Sequence, residues 1–145
     1  MTYRLARHWR EEEAPLTTGG EIDRAARGRV GEEAAALYLS GHGYRIIARN
    51  RRTPAGELDL VCRHGDHYVF VEVKARGSDG YGTALEAIGA RKARRLRASA
   101  AWWLAEHGLF PCRVRFDAVT VSLDGEGCPR SLQHLRDILS DGLGG

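Results

Sequence analysis

Acidic and basic side chains punctuate two apolar segments, Glu57-Leu58-Asp59-Leu60 and Val71-Glu72-Val73-Lys74. If both are strands, side chains alternate between faces: Glu57, Asp59 and Val61 share one face, and Phe70, Glu72 and Lys74 share one, with Val69, Val71 and Val73 opposite. Gly65-Asp66 between them suits a two-residue hairpin turn with Gly first, and residues whose numbers sum to 131 then pair. Asp59 faces Glu72, and Glu57 faces Lys74. Opposed Cβ atoms lie about 4.5–5.5 Å apart, near enough for two carboxylates to share one divalent cation or one proton. An odd-length loop would separate them, since a one-residue slip turns every side chain over.

Glu32 offers a third carboxylate. Gly28, Glu32, Ala35 and Leu39 fall at i, i+4, i+7 and i+11, so Glu32 belongs to a stripe of small and apolar residues rather than to a solvated face. Gly28 and Gly31 would let that helix come close to a sheet. Three carboxylates beside one lysine suit phosphodiester hydrolysis: hard oxygen donors select Mg²⁺ or Mn²⁺, which polarises the phosphate and helps ionise the attacking water. Lys74 would set its ammonium against that water or the developing charge. Of the 22 basic residues only Lys74 and Lys92 are lysines. In so Arg-biased a chain, a surviving lysine marks a place where a compact ammonium is needed. Glu-x-Lys alone is as common on a solvated strand face, and Asp59, Glu32 and the scarcity of Lys decide for a site.

The elements that must position these groups follow from the pattern. A helix is expected from about Glu21 to Ser40, with Thr18 and Glu21 spaced as a capping box and Gly41 and Gly43 stopping it. Tyr44 to Asn50 reads as a strand and Arg51 to Gly56 as a loop; Glu57 to Arg63 and His67 to Arg76 form the hairpin. A helix from about Ala84 to His107 places Ala93, Leu96, Ala100 and Leu104 on one face, with Gly89 splitting off a first turn. Arg113 to Ser122 is a strand, and 129 to 139 suits a helix or an extended end. The order helix, three-strand meander, helix, strand predicts an α/β domain, a mixed sheet flanked by helices. Residues 1–20 read as a disordered arm, 21–138 as one domain and 139–145 as a flexible tail.

The 145 residues fit one core, and 43% hydrophobic with 28% charged residues excludes a wholly disordered or collagen-like chain. No apolar run is long enough to span a bilayer, and three cysteines without a CxxC pair give no disulfide framework, so a soluble cytoplasmic protein is expected.

The stretches GRVGEEAAALYL, GYRIIARNRR, GELDLV, VFVEVKAR, RKARRLRASA and VRFDAVTV, in this order, resemble the YraN family of uncharacterised endonuclease-like proteins over about Gly28 to Val121. That family is similar to the PD-(D/E)xK nuclease superfamily and to Holliday-junction resolvases. The resemblance implies a restriction-endonuclease-like core, a metal site from Glu32, Asp59 and Glu72, and Lys74 as catalytic lysine. Leu58 stands where the superfamily's nominal Pro would precede Asp59.

Two basic clusters flank the acidic centre. Arg91, Lys92 and Arg95 on the second helix and Arg51 and Arg52 after the first strand are candidate phosphate contacts, each adding salt-dependent affinity. An ordinary solvated face is the alternative for either. The expected function is therefore a Mg²⁺-dependent endodeoxyribonuclease, with branched or structured DNA as a candidate substrate and a homodimer as a candidate assembly. The alternative is a non-catalytic nucleic-acid-binding module that keeps the fold. Of the adjacent Trp102 and Trp103, about 100° apart on a helix, one is expected in the core and the other partly exposed. Cys62, His64 and His67 lack a fourth zinc ligand at a suitable spacing, and Asp117 is expected in a structural ion pair.

Overall fold

The computed structural model describes residues 2–4, 24–77 and 89–139. Its elements are β1 (Thr2–Arg4), α1 (Arg24–Gly41), β2 (Arg45–Thr53), β3 (Gly56–His64), β4 (His67–Arg76), α2 (Ala90–Glu106), β5 (Arg113–Leu123) and β6 (Pro129–Leu135). The sheet order is β1-β6-β5-β4-β3-β2. β4 and β5 run parallel and every other neighbouring pair is antiparallel. The architecture is α/β with a mixed sheet, consistent with a restriction-endonuclease-like core.

Alternation along the central strands explains the two layers. Val69 and Val71 pack with Leu60, Cys62 and Val119 against Ala34, Ala35 and Leu39 of α1. Phe70, on the other side of β4, packs with Leu58 and Val61 against Ala93, Leu96, Ala100, Trp103 and Leu104 of α2. Cys62 therefore fills the core rather than a metal site. Gly31 lets α1 lie against β4: a Cβ there would stand 2.8 Å from the Ala75 Cβ. Gly28 has no such role, because a Cβ there would meet nothing within 4 Å. After α1, the Leu39 carbonyl accepts from the N–H groups of His42 and Tyr44, both at 3.0 Å, with Gly43 between them at φ +88°.

The hairpin register is the expected one. Leu60↔Val71, Val61↔Phe70, Cys62↔Val69, Arg63↔Tyr68 and His64↔His67 pair across Gly65 at φ +60° and Asp66. Elsewhere the structure corrects the sequence reading. Arg51–Thr53 is not loop but the end of β2, because the turn needs only Pro54 and Ala55; the Thr53 hydroxyl accepts their neighbours' N–H bonds, from Ala55 and Gly56, at 3.1 Å. Of the two readings left open for 129–139, residues 129–135 take the extended one, with Leu132 and His134 buried on one face as β6 pairs with β5. Thr2–Arg4, placed in the loose arm, pairs with Ser131–Gln133. Leu139, placed in the tail, is buried, and its carbonyl accepts from Arg97 at 2.5 Å. The Thr18–Glu21 cap and the first turns of the second helix lie outside the described residues.

Candidate active site

Asp59 and Glu72 lie just past the end of the β3–β4 ladder, and Glu32 on α1 is within electrostatic reach of both. Leu58 packs on the α2 side with Val61, whereas Leu60 packs on the α1 side, so strict alternation breaks at Asp59. Across from it on β2 the register runs Arg49↔Leu60 then Arg51↔Leu58, and the residue between, Asn50, holds φ +50°, a conformation Asn tolerates better than most. Among the described residues the β3–β4 ladder ends at Leu60↔Val71. Asp59 takes over from the backbone: its Oδ2 accepts the Val73 N–H at 2.9 Å. The next step of the register would oppose Asp59 and Glu72, as the sequence predicts, but a carboxylate replaces the backbone bond there.

The electrostatics show that the acids crowd one another. Burial first, and then the negative charge of Glu72, push the Asp59 carboxyl up to about 7, with Glu32 adding to the rise; the Val73 N–H and the Lys92 ammonium act against it. Burial also raises Glu32, opposed by a hydrogen bond from the Asn50 side chain and assisted by the charges of Glu57 and Glu72. Glu72 itself is buried, and its Oε1 receives the Lys92 ammonium at 2.6 Å.

Lys92 is the residue the sequence reading misplaced. Grouped with Arg91 and Arg95 as a phosphate contact, it is instead half-buried and turned onto Glu72, because it adjoins Ala93 on the inward side of α2. The signal was present: it is the second of the two lysines. Asn50 was also missed, and an Asn inside a β-branched and Arg-rich strand was its only mark. Lys74 is exposed at the far end of β4 and lines a hollow of about 510 Å³ with Arg24, Arg27 and Arg76. Arg91, Arg95, Arg51 and Arg52 are exposed; Arg52 pairs with Glu57 at 3.6 Å across β2, and the β3–β4 ladder ends at Leu60↔Val71, before the expected Glu57–Lys74 pair.

These donors fit a hard divalent cation in kind. Three carboxylates converge electrostatically, and the Lys92 ammonium already stands where positive charge is wanted. They are not drawn onto one point: among the described residues no three His, Cys, Asp or Glu side chains stand together as a ligand set. Glu72 is held by Lys92 and Glu32 by Asn50, so each acid has found its own partner.

A second polar centre lies on the α1 side of the sheet. Asp117, fully buried on β5, accepts at Oδ1 from Arg115 Nε (2.9 Å) and the Asp137 N–H (3.0 Å), and at Oδ2 from His134 Nε2 (2.8 Å), Arg115 Nη2 (3.0 Å) and the Tyr44 hydroxyl (3.1 Å). Burial alone would raise its carboxyl, but the bonds from His134, Arg115 and Asp137 prevail and hold it down at about 2. The expected structural ion pair is therefore present. His134 Nδ1 in turn meets the Tyr38 hydroxyl at 2.9 Å. Of the two tryptophans, Trp103 is in the core and Trp102 is 47% exposed.

Comparison with known proteins agrees with the chain's motifs. Residues 31–121 match the model of a family described as "Uncharacterised protein family UPF0102". A UPF0102 protein of Frankia alni is 50% identical over 111 residues, covering 77% of this chain and 92% of its own. One from Parafrankia is 47% identical over 109 residues (75% and 92%), and one from Moorella thermoacetica is 48% identical over 103 (71% and 86%).

Proposed function

The chain belongs to the UPF0102 family, the one its YraN-like motifs indicated, and on that premise we propose that it is a metal-dependent nuclease hydrolysing DNA phosphodiester bonds. The observation that carries the reading is the electrostatic repulsion of Asp59 by Glu72 and Glu32 beside the end of the β3–β4 ladder, an arrangement that costs stability unless something cationic uses it. Asp59, Glu72 and Glu32 are the residues that would hold Mg²⁺ or Mn²⁺. Bound there, the ion would supply Lewis acidity and a more acidic water.

The chain's own groups would do the rest. Asp59 Oδ2 is fixed by the Val73 N–H, and Oδ1 has no protein donor among the described residues, so one oxygen anchors and the other is free for a ligand. Glu72 must leave Lys92 to turn inward, which frees an ammonium for a phosphate oxygen. Lys74, exposed and lining a hollow with Arg24 and Arg27, would meet the substrate's charge. Arg51, Arg52, Arg91 and Arg95 would follow the flanking phosphates. Two-fold symmetric branched DNA would call for a homodimer with one site per strand.

The reading is tested by incubating the chain with linear, flapped and four-way DNA in Mg²⁺, Mn²⁺ or EDTA. Nicking that requires metal and disappears in Asp59→Asn and Lys74→Ala supports it. DNA retention without nicking in any metal supports the second reading, a binding module that keeps the fold, which the Lys92–Glu72 ion pair and the separated carboxylates favour.

A further inference from the structure

A hollow that Lys74 does not line opens beside α2. It runs between β2, the open edge of the sheet, and the C-terminal half of α2, and encloses about 700 Å³. Trp102 and Trp103 form one wall; Arg45, Arg51 and Arg52 stand along the other, with Ile47 at the rim. Trp102 is 47% exposed and Ile47 37%, among the few large apolar side chains left in water, while Trp103 is pinned beneath by Phe70 and by the stacked His107 ring at 4.2 Å. The Trp103 indole N–H is buried and has no acceptor among the described residues.

We propose that this groove is a binding site for single-stranded nucleic acid, in which Trp102 stacks on an unpaired base while Arg45 and Arg51 hold the adjoining phosphates. An exposed indole offers its face only to a base that has left its own stack, so the site would select frayed, flapped or splayed strands over continuous duplex. Charge complementarity favours a polyanion: three arginines line the groove against one acid, Glu106. The same arginines disfavour a second copy of the chain on this edge, because self-pairing of β2 would bring Arg opposite Arg.

Glu72, through its ion pair with Lys92, and the groove both adjoin α2. Lys92, on Glu72, and Trp102 lie ten residues apart on α2, about 15 Å along its axis. That is about four steps of a stacked strand. The inference deepens the nuclease reading and rests on it only for that offset; the binding claim stands apart.

The test measures binding of the full chain, in EDTA, to a labelled twelve-nucleotide oligothymidine and to a duplex of the same length. Trp102→Ala and Trp102→Leu are expected to weaken oligothymidine binding about tenfold, Trp102→Phe to stay within about twofold of the parent, and duplex binding to change by less than about twofold in all three. Equal losses on both substrates, no loss on either, or a Trp102-dependent dimer by sedimentation overturns the proposal. So does a poly-glutamate peptide that binds as tightly as the oligothymidine and shows the same Trp102 dependence. Trp102-dependent strand binding without cleavage in any metal leaves this inference standing and removes the nuclease; metal-dependent cleavage with strand binding indifferent to Trp102 does the reverse.

Discussion

Two aspartates of one sheet, Asp59 on β3 and Asp117 on β5, are each withdrawn from water and end in opposite electrostatic states. Asp117 collects five hydrogen bonds and two cationic or potentially cationic neighbours, and its carboxyl is held at about 2. Asp59 has one backbone N–H and two neighbouring acids, and its carboxyl is pushed up to about 7. Burial raises both, although Asp59 is partly buried and Asp117 fully. What separates them is whether the fold supplies the opposite charge. The sheet can evidently build a satisfied carboxylate, and the proposed function assigns the unsatisfied one a cation from outside.

The largest effect expected from this contrast is on catalysis. Asp59→Asn and Glu72→Gln should each lower metal-dependent cleavage at least about a thousandfold in single-turnover assays while the chain stays folded. Asp117→Asn should do the opposite kind of harm. It strips Arg115 and His134 of their buried counter-charge, and urea denaturation should show a loss of about 3–5 kcal/mol; a loss below about 1 kcal/mol would place that network among ordinary surface pairs.

Acidity sharpens the comparison, because the two groups contribute slopes of opposite sign. The folded chain keeps a proton on Asp59 up to about pH 7, where the unfolded chain has released it near 3.8, so stability falls as pH rises through that interval. For Asp117, stability is fully present above about pH 4 and is lost as pH falls toward 2. Asp59→Asn should therefore flatten the upper slope and stabilise the chain at pH 8 by about 1–3 kcal/mol, measured by thermal melts across pH. The smallest effect concerns Lys92. Replacing it by Met removes the ammonium that competes for Glu72, and calorimetry should show Mn²⁺ binding severalfold tighter, whereas weaker binding would make Lys92 a support of the site and not a competitor.

Much of this was legible in the residues because hairpin geometry is local. The turn at Gly65-Asp66 fixed the register that brings Asp59 and Glu72 to one end of the ladder. Helical spacing likewise separated Trp103 from Trp102 and put Ala93, Leu96, Ala100 and Leu104 inside. The features that escaped depend on contacts distant in sequence. Lys92 reads as one more cation in a basic run until α2 is laid on β4, and only then does it face Glu72. Asn50 holds φ +50° within β2, beside the break in alternation at Asp59, and no single-strand pattern encodes that. Residues 129–135 carry helix-like spacing and are extended because β5 offered them an unpaired edge.

The pairing of Thr2–Arg4 with Ser131–Gln133 has a consequence for biosynthesis. Among the described residues β1 has no strand partner until β6 has been made, and closing so long a loop is entropically costly. A nascent chain can assemble β2 to β5 with α1 and α2 beforehand, so the acidic cluster can take shape before the sheet's far margin is sealed.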